Sequence, residues 1–578
     1  MDLKLKKGGE GLDPIAKILY VRDTDFGFLH PSQEDELPFE GLDNIETAAR
    51  RLLKALVHQE NVYVQVDSDC DGYTSAALLL NYMHDIAPST VENKWSYGLH
   101  KAKLHGIDIE NITDDIKLVV APDSSSNERE KHEALAERGV DVIVLDHHEA
   151  DGDIASDPAI IVNNQLSGYA NKTLSGVGVV YKTLQCMDRL QQKPGAAAYY
   201  LDLVALGLTG DMMDMRSPET NYYINEGFKL VNNPFFLTLA DKNEFSMKSK
   251  YTPHSVAWYI VPFINAVTRV GDDTDKLLVF ESMLDWKANQ LISSDKRGAK
   301  GEEELRVTQA VRHASNIKRH QDDEKKKLLD AMYQKIQKYN LADEPIIIIQ
   351  NKGIQDDDPI RGITGLVANS IMATYTKPTL ILNEVTDPET GELIWSGSGR
   401  GFATGGIDNW RDFIVNSGYA IFAQGHAMAF GVAFTPTQLE NFKSYVRGVF
   451  GTTIFEKTYE VDFIWTMSDN FDSTIVDIAR YKDIWGQGVP EPIIAIEHIK
   501  IQDPVQLNLL AKGTLRLDLK PYKTSIIKFG SNVEEYQELL GKTITIVGTC
   551  DINDWSGTEE PQIKLIDYFF ETVSAWDF

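Results

Sequence analysis

The stretch that decides the fold is Val62-Tyr-Val-Gln-Val-Asp67-Ser-Asp-Cys-Asp71-Gly72, in which an apolar run passes directly into three alternating carboxylates. Residues 61–66 predict a buried strand, and residues 72–85 predict the helix that follows it. The same alternation continues, with strands predicted over 116–121, 140–145 and 159–162 and a helix over 128–138. Alternating strands and helices predict a parallel α/β sheet, in which ligands bind at the carboxyl ends of the strands.

Polar side chains follow three of these predicted strands. The carboxylates of the first turn are joined by a second group of residues farther along the chain: Asp123, Asp146, His147, His148, Asp211 and Asp214. Carboxylates this close raise one another's pKa and destabilise the fold, and a divalent cation removes that penalty. A single acidic turn could simply be solvated. The joint occurrence, with imidazoles included, predicts a site for two metal ions, and the mixed oxygen and nitrogen set favours Mn²⁺ somewhat over Mg²⁺.

The rest of the chain divides into regions of different pattern. A helix is predicted over 45–56, and residues 174–235 read as mostly helical. Residues 300–340 are densely charged with apolar positions at helical spacing, which predicts one long helix joining two lobes. Runs at 345–350 and 378–382 predict buried strands of a second α/β domain ending near residue 450. The remainder alternates like a β-protein, as in 513–519 and 542–547, and predicts a small closed barrel.

Composition excludes several classes of protein. A chain of 578 residues is too long for one core and predicts three or four domains. With 57 basic and 86 acidic residues, the net charge of −29 argues against a protein that coats nucleic acid generally. Three cysteines without a CxxC pair exclude a disulfide scaffold and fit a reducing compartment. No apolar run suggests a membrane span or a signal peptide, so we expect a cytoplasmic protein, in a bacterial cell or a virus-infected host.

Four of the polar segments resemble the motifs of DHH phosphoesterases. They are Asp67-Ser-Asp-Cys-Asp-Gly72, Pro122-Asp123, Asp146-His-His148 and Gly210-Asp211. The segments 174–182 and 201–207 are similar to the RecJ branch, the exonucleases specific for single-stranded DNA. Ser396-Gly-Ser-Gly-Arg-Gly401 and Gln424-Gly-His-Ala-Met-Ala-Phe-Gly431 resemble motifs of the DHH-associated domain, and 485–492 and 553–557 resemble the RecJ oligonucleotide-binding barrel. The resemblance spans roughly residues 55–570 in family order.

This resemblance implies a multidomain α/β fold with a C-terminal barrel of the OB-fold type. The implied domains are an N-terminal segment (1–55), a parallel α/β DHH catalytic domain (56–300), a connecting helix (301–340), a DHH-associated substrate-binding domain (341–452) and a nucleic-acid-binding OB-fold (453–578). The implied metal ligands are Asp67, Asp69, Asp71, Asp123, His147 and Asp211, with Asp123 bridging two ions. The implied catalytic residues are His148 at the scissile phosphate, Asp146 orienting the histidines, and Asp71.

The resemblance also implies residues that hold the DNA. Ser398, Arg400 and His426 would bind phosphate from the second lobe. The chain departs from the family at Gln65, where some members carry a histidine, and at Gly401 and Gln424. The expected arginine of the 5′-end pocket has no clear equivalent, and the candidates are Lys94, Lys101 and Lys103. On the barrel, the candidates for phosphate contacts and base stacking are Lys512, Arg516, Lys520, Lys523 and Trp555, within or near the basic run 520–528; each could equally be ordinary surface charge or core.

The sequence therefore predicts a metal-dependent exonuclease. It would hydrolyse phosphodiester bonds of single-stranded DNA with a water activated by two Mn²⁺ or Mg²⁺ ions, and the 5′→3′ direction follows from the resemblance alone. Cys70 is expected to be a buried residue and not a nucleophile. The alternatives are a DHH phosphodiesterase of short RNA or cyclic dinucleotides, a catalytically silent DNA-binding relative, and a pyrophosphatase. The expected partner is single-stranded DNA, with a single-strand-binding protein or a helicase as further candidates, no membrane, and a monomeric state.

Overall fold

A computed structural model describes most of the chain: residues 2–100, 104–150, 156–299, 301–352, 362–387, 390–402, 407–451, 457–502, 505–510, 513–554 and 557–571. The chain forms two compact units. The larger unit comprises residues 3–265, 272–313 and 459–578, and the smaller unit comprises residues 1–2, 266–271 and 314–458. Within the described residues, no helix is both long enough and apolar enough to cross a membrane.

The first part of the larger unit is built on a parallel sheet. The chain enters through β1 (Asp2–Leu5), α1 (Pro14–Tyr20) and α2 (Ile45–Val57). The sheet then contains β2 (Val62–Val66), β3 (Trp95–Leu99), β4 (Leu118–Pro122), β5 (Asp141–Asp146) and β6 (Ile160–Asn163), in the order β3-β2-β4-β5-β6. All five strands run parallel. Every residue of β2 and β4 is buried, as expected for central strands covered on both faces.

Helices pack around this sheet. They are α3 (Cys70–Ile86), α4 (Pro88–Lys94), α5 (Arg129–Glu137), α6 (Gly176–Gln191) and α7 (Leu201–Gly210). The chain continues with α8 (Pro218–Lys229), α9 (Pro234–Lys242), α10 (Glu244–Met247), α11 (Pro253–Tyr259), α12 (Val261–Val270), α13 (Asp273–Ser282) and α14 (Asp285–Ala288). A hairpin of β7 (Leu291–Ser293) and β8 (Glu303–Leu305) leads into α15 (Arg306–Lys338), which is the long charged helix predicted over 301–340.

The smaller unit contains a mixed sheet. Its elements are β9 (Ile347–Asn351), α16 (Thr364–Tyr375), β10 (Thr379–Thr386), β11 (Leu393–Arg400), α17 (Trp410–Asn416), β12 (Phe422–His426), β13 (Ala429–Phe434) and α18 (Pro436–Phe450). The strand order is β12-β13-β11-β10-β9, with β9 and β10 parallel and the other pairs antiparallel. One apolar core lies under α18 and includes Phe434 and Phe442, and a second lies under α16 and includes Val367 and Ile371.

The C-terminal region belongs to the larger unit and contains a seven-stranded sheet. Its elements are β14 (Thr458–Val461), β15 (Phe463–Thr466), α19 (Asp472–Ala479), β16 (Ile493–Lys500), β17 (Leu507–Leu510), β18 (Thr514–Asp518), β19 (Ser525–Phe529), α20 (Val533–Leu539), β20 (Thr543–Asn553) and β21 (Glu560–Phe570). The sheet order is β15-β16-β20-β21-β19-β18-β17. The predicted strands at 513–519 and 542–547 are present as β18 and the start of β20.

A buried ion pair joins the N-terminal segment to this C-terminal region. The Arg22 guanidinium donates to both carboxylate oxygens of Asp462, at 2.6 and 3.0 Å, and to the Pro490 carbonyl at 3.0 Å. Both side chains of the pair are buried. The bidentate geometry and the third acceptor satisfy the guanidinium, which is the condition under which a buried ion pair is tolerated.

Candidate metal centre and phosphate-binding residues

The first motif is shaped by close packing at the end of β2. Asp67 follows the strand directly, and Asp69 caps α3 by accepting a hydrogen bond from the Gly72 amide at 3.0 Å. A side-chain carbon added at Gly72 would lie 2.6 Å from the Asp67 Cβ atom and 2.8 Å from its backbone, so only glycine allows this contact. The tight turn brings Asp67, Asp69 and Asp71 to the carboxyl edge of the sheet.

Asp123 reaches the same edge through an uncommon backbone conformation. Its φ of 66° lies in the left-handed region, which is uncommon for residues other than glycine and in which Asp and Asn are enriched. Its amide donates to the Leu145 carbonyl at 2.8 Å, which holds it beside β5. A carbon added at Gly176 would lie 2.4 Å from the Asp123 Oδ1 atom, so the start of α6 encloses this carboxylate tightly. The backbone therefore directs a buried carboxylate into the site.

Asp146 orders the two histidines that follow it. It accepts hydrogen bonds from the His147 amide at 2.7 Å, from His148 Nδ1 at 2.8 Å and from the Ser126 amide at 3.0 Å. Burial opposes its ionisation, but the His148 bond and the charges of both histidines lower the pKa of Asp146 below its usual range. The same hydrogen bond, acting against burial, raises the pKa of His148 to about 9. His148 is therefore an imidazolium at neutral pH, with 57% of its side chain exposed.

His147 has the opposite character. Burial, followed by the charge of His148, lowers the pKa of His147 to about 4. Its Nε2 atom lies 3.2 Å from Asp123 Oδ1 and 3.5 Å from Asp211 Oδ2. A neutral imidazole offers a lone pair, which is the form that binds metal ions. The two adjacent histidines therefore differ in character: His147 can bind a metal ion, and His148 carries a positive charge.

Three overlapping groups of potential ligands form at this edge. In each group one donor atom per residue lies within 4.8 Å of the others: Asp67, Asp69 and Asp123; Asp71, His147 and Asp211; and Asp123, Asp146, His147 and His148. The six residues predicted as metal ligands are all members of these groups. Asp123 and His147 each belong to two of these groups.

The carboxylates fit a divalent cation chemically. Asp71 Oδ2 and Asp123 Oδ1 are buried and accept no hydrogen bond from the described part of the chain. Burial raises the pKa of Asp71 to about 6, with the charge of Asp69 adding to it. Burial and neighbouring carboxylates also raise the pKa values of Asp123 and Asp211. Unsatisfied oxygens among like charges are the donors that Mg²⁺ or Mn²⁺ would bind.

The predicted phosphate-binding residues of the smaller unit lie on one face of its sheet. Arg400 pairs with Ala429, which in turn pairs with His426, so these residues stand in one row across three strands. Ser398 lies two residues before Arg400 on the same face, and its hydroxyl is 3.1 Å from that of Thr364. Burial, followed by the charge of Arg269, lowers the pKa of Arg400. The Arg400 guanidinium donates to the Gly399 carbonyl at 2.7 Å.

Several other predicted residues have less distinctive surroundings. Lys101, Lys103, Lys512 and Trp555 lie outside the described residues. Lys94, Lys520 and Lys523 are exposed, whereas Arg516 is paired with Asp518 at 2.8 Å and Lys528 is paired with Glu535. Cys70 is fully buried, and burial raises the pKa of its thiol well above the usual range. An inert thiol agrees with the prediction that Cys70 is not a nucleophile.

Two histidines in the loop after β3 contact the site but were not predicted from the sequence. His105 Nδ1 lies 2.5 Å from Asp67 Oδ2, and His100 Nε2 lies 3.3 Å from the Gln65 amide nitrogen. Because β3 was not predicted, this loop was not placed at a strand end. The sequence feature that could have indicated them is the pair His100 and His105, which follows the aromatic residues Trp95 and Tyr97.

Comparison with known proteins gives a consistent result. Residues 61–208 match the family described as DHH family, N-terminal domain, and residues 462–567 match the RecJ OB domain. The chain is 34% identical over 568 residues to the putative SPbeta prophage-derived single-strand DNA-specific exonuclease YorK of Bacillus subtilis (strain 168), covering 96% of each chain. It is 24% identical to the single-stranded-DNA-specific exonuclease RecJ of the same organism, covering 99% of this chain and 68% of the relative.

The solved structures similar to this one show the same fold. The crystal structure of RecJ in complex with Mn²⁺ from Thermus thermophilus superposes with a TM-score of 0.72 at 18% identity, covering 97% of this chain and 76% of that chain. The Mg²⁺ complex from the same organism gives a TM-score of 0.65 at 17% identity, covering 97% of this chain and 75% of that chain.

Proposed function

The chain belongs to the RecJ family of DHH phosphoesterases, and from this premise we propose that it is a metal-dependent exonuclease that hydrolyses single-stranded DNA. The observation that carries the proposal is the cluster of buried carboxylates and one neutral imidazole at a single sheet edge, with two carboxylate oxygens lacking hydrogen bonds from the described residues. A phosphodiester is anionic, so a site of carboxylates can approach it only when cations intervene.

The proposed ligands are six of the eight residues in the overlapping groups: Asp67, Asp69, Asp71, Asp123, His147 and Asp211. When bound there, two divalent ions would supply an activated water and bind the phosphate oxygens. The chain itself contributes fixed donors. Ser175 donates to Asp71 at 2.9 Å and the Gly72 amide donates to Asp69 at 3.0 Å, so these carboxylates are oriented before any ion binds.

His148 is proposed to act on the phosphate directly. Its imidazolium is positive at neutral pH and more than half exposed, while its Nδ1 atom is held by Asp146. The ring therefore keeps one orientation while it offsets the negative charge that grows on the phosphate in the transition state. Asp146 fixes the ring and supports its charge without touching the substrate.

The residues of the smaller unit are proposed to hold the DNA backbone. Arg400, His426 and Ser398 share one sheet face and offer a guanidinium, an imidazole and a hydroxyl to phosphate oxygens. We propose digestion in the 5′→3′ direction. Cytoplasmic location, a monomeric state, and cooperation with a single-strand-binding protein or a helicase belong to the same proposal, and sedimentation of the purified protein tests the monomer.

The decisive experiment digests single-stranded DNA labelled at either end, with blunt duplex and a cyclic dinucleotide as parallel substrates, in Mn²⁺, Mg²⁺ or EDTA. We expect release of label from the 5′ end of single strands only, and only with a metal ion. Asp69→Ala and His147→Ala should abolish the activity, whereas the exposed Asp114→Ala should retain it. Cleavage of the dinucleotide alone, or unchanged activity in both site variants, would refute the proposal.

A further inference from the structure

We propose that His105 is a positioning residue that holds Asp67 in the orientation needed to bind a metal ion. The inference deepens the proposed metal-dependent hydrolysis and rests on it. His105 lies outside the motifs that define the site. Its Nδ1 atom nevertheless lies 2.5 Å from Asp67 Oδ2, within hydrogen-bonding distance of the carboxylate. Asp67 is 1% exposed, while 53% of the His105 side chain is exposed.

Both oxygens of Asp67 are engaged by consecutive residues. His105 contacts Oδ2, and the Gly106 amide donates to Oδ1 at 3.3 Å. Two bonds from one short segment fix both the position and the rotation of a carboxylate, which a single bond does not. Carboxylates that bind metal ions are commonly held by such hydrogen bonds, and loss of one typically lowers metal affinity about 10- to 100-fold.

The loop that carries His105 is itself anchored at two places. Glu128 accepts from the Ile107 amide at 2.7 Å, and Gln65 accepts from the Asp108 amide at 3.0 Å. Gly106 has a φ of 84°, and a carbon added there would lie 2.2 Å from the Glu128 carboxylate. Residues 105–108 therefore fit against the start of α5 and the end of β2, and His105 contacts Asp67 from this anchored segment.

His105 acts through Asp67 and is not one of the ligand group. The donor atoms of Asp67, Asp69 and Asp123 lie within 4.8 Å of one another, and no cluster of this kind among the described residues includes His105. The imidazole instead bonds Asp67 Oδ2, and each carboxylate oxygen keeps a further lone pair that can bind a cation. Its removal should therefore weaken metal binding without removing a ligand.

The test measures Mn²⁺ binding to the full chain by calorimetry in the absence of DNA. His105→Ala should raise the Kd for Mn²⁺ about 10- to 100-fold. His105→Asn places an amide nitrogen where Nδ1 stands and should bind Mn²⁺ nearly as well as the unmodified protein. His105→Gln keeps a polar side chain of similar size but moves the amide out of register, so it should resemble His105→Ala. At saturating Mn²⁺ the kcat of His105→Ala should return toward that of the unmodified enzyme.

A matched control comes from an exposed histidine that also bonds a carboxylate. His498 Nδ1 lies 2.7 Å from Glu571 Oε2 on the C-terminal sheet, and His498→Ala should leave the Kd for Mn²⁺ unchanged. An unchanged Kd in His105→Ala, or equal loss in the Asn and Gln variants, would overturn the inference. Because Mn²⁺ binding is measured without DNA, a failure of the His105 inference can be distinguished from a failure of the nuclease proposal. The nuclease proposal would fail if the unmodified protein bound Mn²⁺ tightly but digested no DNA.

Discussion

The substitution Asp123→Asn tests whether the buried carboxylates are held together by a cation. Asp67, Asp69 and Asp123 have oxygens within 4.8 Å of one another. At an effective dielectric constant of about 20, one pair of like charges at this distance costs about 3 kcal/mol. Protonation of Asp123 limits this cost, so the metal-free variant should unfold with a free energy about 2 kcal/mol higher than the unmodified protein at pH 8. Asparagine also suits the φ of 66° at this position.

The stability gained through Asp123→Asn in the absence of metal should increase with pH. Burial and three neighbouring carboxylates raise the pKa of Asp123 in the folded state above its unfolded value. A raised pKa means that the folded state binds the proton more tightly, so stability is greatest below the unfolded pKa of about 3.9 and falls as the pH rises through the folded pKa. The gain from Asp123→Asn in EDTA should therefore grow as the pH rises through the folded-state pKa of Asp123.

Urea unfolding in EDTA and in Mn²⁺ measures the stability of the metal-free and the metal-bound protein separately. Mn²⁺ at 100 times its Kd should stabilise the unmodified protein by about 2.7 kcal/mol, and the variant should gain much less. Asp114→Asn, at an exposed carboxylate, is the control and should change neither curve. Equal destabilisation by Asp123→Asn in EDTA and in Mn²⁺ would refute the reasoning, because it would mean that Asp123 has only a packing role.

Three further substitutions test other parts of the molecule. His148→Gln should lower kcat about 100-fold or more at neutral pH. The pKa of His148 is raised to about 9, so its positive charge is present below that pH. The activity of the unmodified enzyme should therefore fall as the pH rises through this value, which a pH–rate profile measures. Arg400→Ala should weaken binding of single-stranded DNA and reduce the slope of log K against log salt by about 0.7 in fluorescence anisotropy, whereas Arg447→Ala, at an exposed pair with Glu344, should not. Arg22→Met should lower the free energy of unfolding by about 3 kcal/mol in urea titration, because Asp462 stays buried and keeps only Lys6 at 3.7 Å and the Ile493 amide at 3.0 Å as partners.

The candidate metal site at the carboxyl edge of the parallel sheet could be predicted because it is marked by short, local sequence patterns. β2, β4 and β5 are buried apolar runs, and each is followed at once by a carboxylate or a histidine. Parallel strands bring their carboxyl ends to one edge, so nearness in space follows from position relative to a strand. The pattern therefore indicated the cluster without knowledge of long-range packing, although the role of each residue there stays a prediction.

The remaining features depend on contacts that leave no local pattern. β3 is an edge strand, half-exposed over much of its length, with Gly98 in its interior, so neither alternation nor a continuous apolar run marks it. His105 was missed with it, because a loop can be assigned to the site only when its strand is known. The row of Arg400, Ala429 and His426 depends on the register of two strand pairings, which sequence periodicity does not define.

The pair of Arg22 and Asp462 determines how the polypeptide can be divided. A fragment without the C-terminal sheet would lose the partners of Arg22, which are Asp462 and the Pro490 carbonyl. An isolated C-terminal fragment would lose the guanidinium that compensates the charge of Asp462. The segment just after the first helix is thus packed against the C-terminal region, although 440 positions separate the partners. Chimaeras that exchange this region between relatives should therefore transplant both segments together.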